Sequence, residues 1–279
     1  PVYAEPSPFS PVARQPFVSV VPGLQRSRGR AAVRFKLEAS GRTMLADLEQ
    51  SAPCRAMVPR GDDLPTAAFI STCGGLTSGD TVTFNLELGA GTQAIATTQA
   101  AEKIYRARAG DEAAQMRSRV VVGEGAYAEW LPQETILFDG SRLERQTCFD
   151  LAADARVLAC ELRVLGRAAY GELFSHGFLA DRIEVRRAGN LEWVDALRLG
   201  VPQRHGASGN VELLGKALHS PAGFGGYPAI GTVFYAAPDA PAHLAKVREI
   251  LEGEAGAMAA ATAWDNILVT RILAADVFD

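Results

Sequence analysis

Apolar and polar residues alternate strictly over several stretches of this chain, and this period of two constrains the fold more than any other feature. The pattern is clearest at residues 81–88, and it recurs at 33–38, 143–151 and 157–164. A period of two gives an extended strand one apolar face and one polar face. Because half-buried strands of this kind are typical of antiparallel sheets, we expect these strands to pair in antiparallel fashion.

The alternation also predicts which side chains face the core. In 157–164, the apolar positions are Leu158, Cys160, Leu162 and Val164, and Glu161 alternates with them. We therefore expect these four side chains to be buried.

Turn signals separate the strands at short intervals, which predicts many strands rather than a few long ones. Each of these signals contains glycine, and they fall at residues 40–41, 60–63, 74–75, 78–80, 89–91, 110–111, 123–125 and 139–140. The predicted fold class is mainly β.

Helical spacing is confined to the C-terminal third of the chain. Residues Pro241 to Glu252 carry apolar side chains at helical intervals, and Val211 to Leu218 form a second, shorter candidate. Two further strands, Ala257 to Trp264 and Ile267 to Leu273, follow with Asp265-Asn266 as a tight turn between them.

The domain organisation follows from where proline and glycine occur. Residues 1–16 contain five prolines and predict a flexible, extended N-terminal arm. Since residues 17–200 contain no linker rich in Gly, Ser or Pro, we expect 17–279 to form a single β domain.

Charge and cysteine usage exclude several classes of protein. A formal net charge of −4 and a pI near 5.7 leave no global basic field for nucleic acid. No apolar run approaches the ~18 residues that a membrane helix needs. Cys54, Cys73, Cys148 and Cys160 form no CxxC pair and have no histidine at zinc-ligand spacing. The sequence therefore predicts reduced thiols and a cytoplasmic protein.

The segment GGLTSGD at 74–80 has the glycines of a phosphate-binding loop. It lacks the following Gly-Lys-Ser/Thr and runs into a strand rather than a helix, so a polar turn is the better interpretation. In the alternative, Thr77, Ser78 and Asp80 face a partner or a polar channel.

Two carboxylates, Glu134 and Asp139, lie in one segment and raise the question of a glycosidase-like acid and base. Such a pair requires a separation of about 5 to 10 Å. Five residues of strand span ~16 Å and place the two side chains on opposite faces. The two carboxylates therefore cannot act together as a catalytic acid and base. Each one alone is either a hard oxygen ligand or an ordinary strand-end group.

Two other polar segments have simple structural interpretations. Glu102, Lys103 and Tyr105 fit a solvated face with local ion pairs, while Arg167 and Glu172 fit an ion pair that fixes a turn. The four histidines are scattered without metal-ligand spacing, and no serine lies in a GxSxG elbow. We find no catalytic constellation, and we expect no enzyme activity.

Taken together, these segments resemble the urease accessory protein family called UreD in most bacteria and UreH in some. The resemblance runs from about Gly29 to Leu273. The matching motifs are GGLTSGD at 74–80, TTQAAEKIYR at 97–106, WLPQETILFDGS at 130–141, GRAAYGE at 166–172, AIGTVFYA at 229–236 and ILVTRIL at 267–273.

The resemblance implies an elongated, mostly β fold with strands folded back in a helix-like or two-layered manner and a small helical portion near the C-terminus. It implies a scaffold that binds the structural subunits of apo-urease and docks a UreF-type helical protein, which recruits a UreG-type GTPase. It also implies a polar passage for Ni²⁺ in transit, with no tightly bound cofactor. Conduction needs ligands that admit the ion and also release it.

Motif position implies which residues carry this role. Transient nickel contacts are expected at Glu134, Asp139 and Glu172. The passage or partner surface is expected to contain Thr77, Ser78, Asp80, Lys103, Tyr105, Gln133 and Arg167.

Two other functions compete with the scaffold. One is a hydrolase that acts in a β cleft with Glu134 or Asp139 as base. The other is a carbohydrate-binding β module, which would need a surface ring of aromatics. The chain has three tryptophans, each in an apolar strand context.

Overall fold

Two β-sheets pack face to face and contain most of the chain. The structure is a computed structural model, and it describes residues 26–59, 61, 64–108, 110–200, 210–254 and 256–276. The predicted arm at 1–16 lies outside these ranges. The prediction of a mainly β chain is confirmed.

The strands follow one another in chain order with short connections. The first nine are β1 (Arg28–Leu37), β2 (Thr43–Ser51), β3 (Cys54–Met57), β4 (Thr66–Ser71), β5 (Thr81–Leu88), β6 (Gln93–Thr98), β7 (Glu102–Ile104), β8 (Ala114–Val122) and β9 (Tyr127–Leu131). The later ones are β10 (Thr135–Leu137), β11 (Arg142–Leu151), β12 (Arg156–Arg167), β13 (Glu172–Leu173), β14 (Phe178–Arg187), β15 (Asn190–Leu199), β16 (Ala229–Ala236), β17 (Ala257–Trp264) and β18 (Ile267–Ala274).

The chain winds between the two sheets. Sheet A has the order β15-β14-β11-β8-β5-β1-β2. Sheet B has the order β17-β18-β16-β12-β9-β6-β4-β3, and the short strands β7, β10 and β13 attach to it near the end of β12. From β4 to β14 the long strands alternate between sheet B and sheet A, as the resemblance to a helix-like, two-layered fold implies.

Our expectation of antiparallel strands is wrong for most of this winding. The neighbours β5, β8, β11 and β14 run parallel in sheet A, and β4, β6, β9 and β12 run parallel in sheet B. Because the chain crosses to the other sheet after each strand, it returns in the same direction. Each strand still has one face toward the facing sheet and one toward solvent, so the period of two carries no information on direction.

Aromatic contacts between the sheets show where the core lies. Phe69 in β4 and Phe84 in β5 have ring centroids 5.1 Å apart, and Phe149 in β11 lies 5.1 Å from Phe234 in β16. The four apolar residues of β5 are buried as predicted. Burial of such side chains between the sheets is the main source of stability.

The predicted inward face of β12 is wrong. Val157, Ala159, Glu161 and Arg163 are buried between the sheets. Leu158, Cys160, Leu162 and Val164 lie half-buried on the other face. The reason is that this part of the interior is ionic, so the charged residues of the strand face inward.

The helices lie where the sequence predicts them. α1 (Asn210–His219) contains the shorter candidate, and α2 (Leu244–Glu252) follows a 3-10 turn at Ala240–His243. The last two strands and their tight turn are also confirmed. Among the described helices, none has the length and apolar character required to cross a bilayer.

Candidate functional site

The sequence segments singled out above meet on one part of sheet B. β10 lies between β7 and β12 and runs parallel to both. A bridge joins Leu76 to Ile104, and a second joins Arg106 to Ser141. β13 forms a hairpin with the end of β12, where Arg167 is opposite Glu172. Segments far apart in sequence therefore form one strip, which we call the β10 strip (residues 102–106, 134–141 and 163–173).

Asp139, just after β10, is the centre of a hydrogen-bond cluster. One carboxylate oxygen accepts from the backbone N–H groups of Ser175 at 2.8 Å and His176 at 3.0 Å, and from the Ser175 hydroxyl at 3.0 Å. The other lies 3.2 Å from Arg106 Nη2 and 3.1 Å from His176 Nδ1. The side chain is buried.

These donors keep Asp139 ionised. Burial by itself would raise its pKa, but the hydrogen bonds from His176 and Ser175 outweigh burial, and the pKa is lowered overall. Because both oxygens already accept hydrogen bonds, Asp139 is poorly suited to act as a general base. The geometry gives no support to a hydrolase built on this residue.

Glu172 and Arg167 form the ion pair that the sequence suggested for this turn. Arg167 Nη2 lies 2.5 Å from Glu172 Oε2, and Nε lies 3.1 Å from Oε1. The hydrogen bond from Arg167 lowers the pKa of Glu172, and the Asp139 backbone N–H donates to the same carboxylate at 3.1 Å. Two of the three predicted nickel contacts are therefore adjacent.

The third predicted contact, Glu134, lies at the opposite end of β10 from Asp139. Its backbone carbonyl accepts from the Glu102 N–H at 2.9 Å, and within the described ranges its half-buried carboxylate has no ion pair. Gln133 beside it is exposed, and its backbone N–H donates to Thr98 Oγ1 at 2.9 Å. Carboxylates thus mark both ends of one short strand.

The residues of the 74–80 segment divide between structural and free polar groups. Asp80 accepts from the backbone N–H groups of Thr77 at 2.9 Å and Ser27 at 2.7 Å, so it holds the turn together. In the part of the chain that the structure describes, the buried hydroxyls of Ser78 and Ser141 lack a hydrogen-bond partner. Thr77 Oγ1 lies 3.5 Å from the Arg106 carbonyl.

Tyr105 is fixed and Lys103 is free. The Tyr105 hydroxyl donates to the Gly74 carbonyl at 2.7 Å, and its ring meets Phe138 edge-on with centroids 5.1 Å apart. Lys103 is exposed and forms no ion pair with any described residue.

Sequence reasoning missed a buried ionic network between the sheets, which we call the interior network (Arg145, Glu161, Arg163 and Asp181). Asp181 accepts from Arg145 Nη2 at 2.5 Å and from Arg163 Nε. Arg145 Nη1 lies 2.6 Å from Glu161 Oε2. The signal was present, because Arg145 occupies the core-facing row of an alternating strand, but its partners lie on other strands.

The interior network compensates its own charges. Burial alone would raise the pKa of Asp181, but the guanidinium groups of Arg145 and Arg163 lower it overall. Burial raises the pKa of Glu161. Arg145 also donates to Thr135 Oγ1 at 2.9 Å, which ties the network to β10.

Glu102, at the start of β7, is a half-buried carboxylate that forms no ion pair with a described residue. Burial raises its pKa to about 7, above the value of about 4.3 expected in an unfolded chain. Between these values the folded state holds the proton more tightly, so the free energy of unfolding falls as the pH rises, by up to about 1.4 kcal/mol per unit.

We expect Glu102→Gln to remove this part of the pH dependence. The variant and the parent should have similar stability near pH 4, and the variant should be the more stable of the two at pH 8. Urea unfolding at pH 5, 6, 7 and 8 measures the difference between them. A difference that stays constant over this range would contradict the assignment.

Metal-ligating side chains are dispersed. Within the described ranges, no three His, Cys, Asp or Glu residues are placed to hold one metal ion, and the four cysteines are free thiols. The carboxylates of the β10 strip could therefore contact a cation one or two at a time.

Comparison with known proteins decides the family. A family model described as "UreD urease accessory protein" matches residues 27–279. The chain belongs to the UreD family. A UreD from Dinoroseobacter shibae is 43% identical over 256 residues, which cover 91% of this chain and 85% of that protein. A UreD from Rhizobium leguminosarum bv. trifolii is 43% identical over 255 residues, or 91% and 87% of the two chains. Both relatives carry the name urease accessory protein UreD.

Proposed function

We propose that this UreD-family chain is a non-enzymatic scaffold that binds apo-urease and, with UreF and UreG partners, supports nickel insertion into the urease active site. We also propose that it gives Ni²⁺ a polar passage. One observation carries the passage: Glu134 lies at one end of β10, and the Asp139 and Glu172 pair lies at the other. The free thiols fit a cytoplasmic location.

Whether each carboxylate is already paired with an arginine suggests how the ion would move. Oxygen and nitrogen ligands suit Ni²⁺. At Asp139 and Glu172 the ion has to compete with Arg106 and Arg167, so binding there is weak and reversible. Glu134, with no ion pair among the described residues, is the stronger single contact. Transit requires contacts of moderate and unequal strength such as these, because a tight site would retain the ion.

The interior network is not part of this route. Its two carboxylates, Glu161 and Asp181, are already paired with the guanidinium groups of Arg145 and Arg163 between the sheets, so neither is free to bind Ni²⁺. We place the path along the β10 strip instead.

Neutral isosteres test the passage. We expect Glu134→Gln, Asp139→Asn and Glu172→Gln each to reduce nickel loading, and the triple variant to slow it about tenfold or more, as lost ligand contacts typically do. Each variant is co-expressed with cognate urease and the other accessory proteins. Complex assembly, nickel per urease active site and urease activity are then measured. Glu49→Gln on β2, where the nearest Arg30 nitrogen is 3.8 Å away, is the matched control.

The outcomes separate a conduit from a structural role. Reduced nickel in fully assembled complexes supports the passage. If Glu172 serves only to hold its turn through Arg167, its loss weakens folding or assembly instead. Normal nickel loading in all three single variants and in the triple variant would rule the passage out.

A further inference from the structure

A large apolar side chain faces solvent at a cleft on the β10 strip. Tyr170 is 81% exposed, the highest value among the large hydrophobic residues that the structure describes. The cleft has a volume of about 460 Å³, and its walls include Tyr105, Phe138 and Val164. We call this feature the Tyr170 cleft (residues 103, 105, 136, 138, 164–170, 228–229 and 275–276). Exposed apolar patches next to concave surfaces mark interaction sites.

The wall that presents Tyr170 is rigid before any ligand arrives. The Arg167 guanidinium lies 4.0 Å from the Phe138 ring centroid and 5.3 Å from that of Tyr170. Glu172 forms an ion pair with the same guanidinium. At Gly166 the hairpin is so tight that a Cβ would lie 2.5 Å from the Glu172 carbonyl. A preordered aromatic and arginine pair loses little entropy on binding, which is typical of hot spots.

The floor of the cleft cannot bind an added strand. β10 is paired on both sides, by β7 and by β12. The adjoining part of β12 is paired with β16 on its other side. Backbone groups are therefore already hydrogen-bonded, and β-augmentation, which needs a free sheet edge, is not available here. Recognition has to come from side chains that enter the cleft, as when the apolar ridge of a helix enters a groove.

The charge at the rim selects an acidic ligand. Lys103 is exposed and forms no ion pair with a described residue. Arg167 uses Nε and Nη2 for Glu172, and among the described residues its Nη1 has no hydrogen bond. Asp276 also lines the cleft, but it already interacts with another group. Since Glu172 already compensates the charge of Arg167, Lys103 is the cation that a carboxylate on the ligand would meet, and Arg167 Nη1 offers one further donor.

We propose that the Tyr170 cleft binds one amphipathic helix of a partner protein, with its apolar ridge against Tyr170 and the apolar walls of the cleft and a carboxylate facing Lys103. The proposal rests on the proposed function, since a scaffold of this kind works only when protein partners dock on it.

The test uses the complex formed by co-expression with cognate urease subunits and accessory partners. A photo-reactive p-benzoylphenylalanine replaces Tyr170, and in a matched control it replaces Met57, which is also well exposed but lies in β3 at the far edge of sheet B. After irradiation, mass spectrometry identifies the cross-linked segment. We expect position 170 to cross-link to an acidic, amphipathic helix of one partner, and position 57 not to.

Substitutions measure the contribution of each part. Tyr170→Ala and Lys103→Glu should each weaken retention of that partner about tenfold or more, as hot-spot and charge-reversal changes do. Met57→Ala should not change it. Because Tyr170 and Lys103 are exposed, both variants should keep the parent's thermal midpoint, which is measured in parallel.

The outcomes distinguish the cleft from the proposed function. If the parent chain forms no complex with urease or accessory proteins, the proposed function fails, and the cleft proposal fails with it. If the complex forms but position 170 cross-links to nothing, to a second copy of this chain or to a segment that is not an acidic helix, only the cleft proposal is overturned. Normal retention of the partner by both variants overturns it as well.

Discussion

Asp181→Asn should lower the free energy of unfolding by about 3 to 5 kcal/mol, the cost of breaking a buried ion pair by removing one partner. The Asp181 side chain is fully buried and contacts both Arg145 and Arg163. With a neutral amide in its place, Glu161 is the remaining anion of the interior network. Two guanidinium groups would then share one carboxylate.

The matched control is Asp47→Asn. Asp47 lies 3.3 Å from Arg34, and their side chains are 47% and 51% exposed. Ion pairs at the surface contribute at most about 1 kcal/mol. Urea unfolding followed by tryptophan fluorescence, together with the soluble yield, measures both variants. Similar losses for the two substitutions would show that burial of the interior network is energetically unimportant.

Asp181→Asn should also flatten the dependence of the free energy of unfolding on pH at acid pH. Since the pKa of Asp181 is lowered on folding, its contribution is present above the unfolded value of about 3.9 and is lost as the pH falls toward the folded one. In Asp181→Asn this loss is absent. Unfolding measured from pH 5 to pH 2.5 compares the slopes of parent and variant.

Much of the fold could be predicted because it depends on local periodicity. The alternation in β5 identifies its buried face, and helical spacing locates α2. Strand direction could not be predicted, since it depends on which sheet the chain enters next. The buried face of β12 was also mispredicted. Glu161 and Arg163 face inward because Arg145 and Asp181, on strands of the facing sheet, compensate their charges. Hydrophobicity within one strand contains no information about such partners.

The candidate site was predictable only in part. The motifs contain Asp139, Arg167 and Glu172, and the structure brings all three together. The groups that keep Asp139 ionised, Ser175 and His176, lie in a loop without a recognisable pattern. Glu134 and Asp139 were correctly expected to be apart. Distance along a strand can be derived from the sequence, whereas contacts across strands require the topology.

Gly75→Ala should destabilise the β10 strip by about 3 kcal/mol or more, while Gly74→Ala should cost about 1 to 2 kcal/mol. Both glycines have positive φ, +72° at Gly74 and +144° at Gly75, and a side chain there costs about 1 to 3 kcal/mol in backbone strain alone. A Cβ at Gly74 has no atom within 4 Å, whereas a Cβ at Gly75 would lie 2.6 Å from the Tyr105 ring and 2.8 Å from the Lys103 carbonyl. The carbonyl belongs to β7 and cannot rotate away.

The two adjacent variants therefore separate strain from collision. In Gly75→Ala, relief of the collision has to move the Tyr105 ring or break the two hydrogen bonds between Leu76 and β7. The Leu76 N–H donates to the Lys103 carbonyl at 2.7 Å, and the Leu76 carbonyl accepts from the Tyr105 N–H at 2.8 Å. Tyr105 is a wall of the Tyr170 cleft, so retention of a partner there should fall together with stability. Urea unfolding and hydrogen exchange at residues 102–106 measure the effect. Equal losses in the two variants would mean that backbone strain alone explains both glycines, and that the close packing of Tyr105 on Gly75 does not matter for stability.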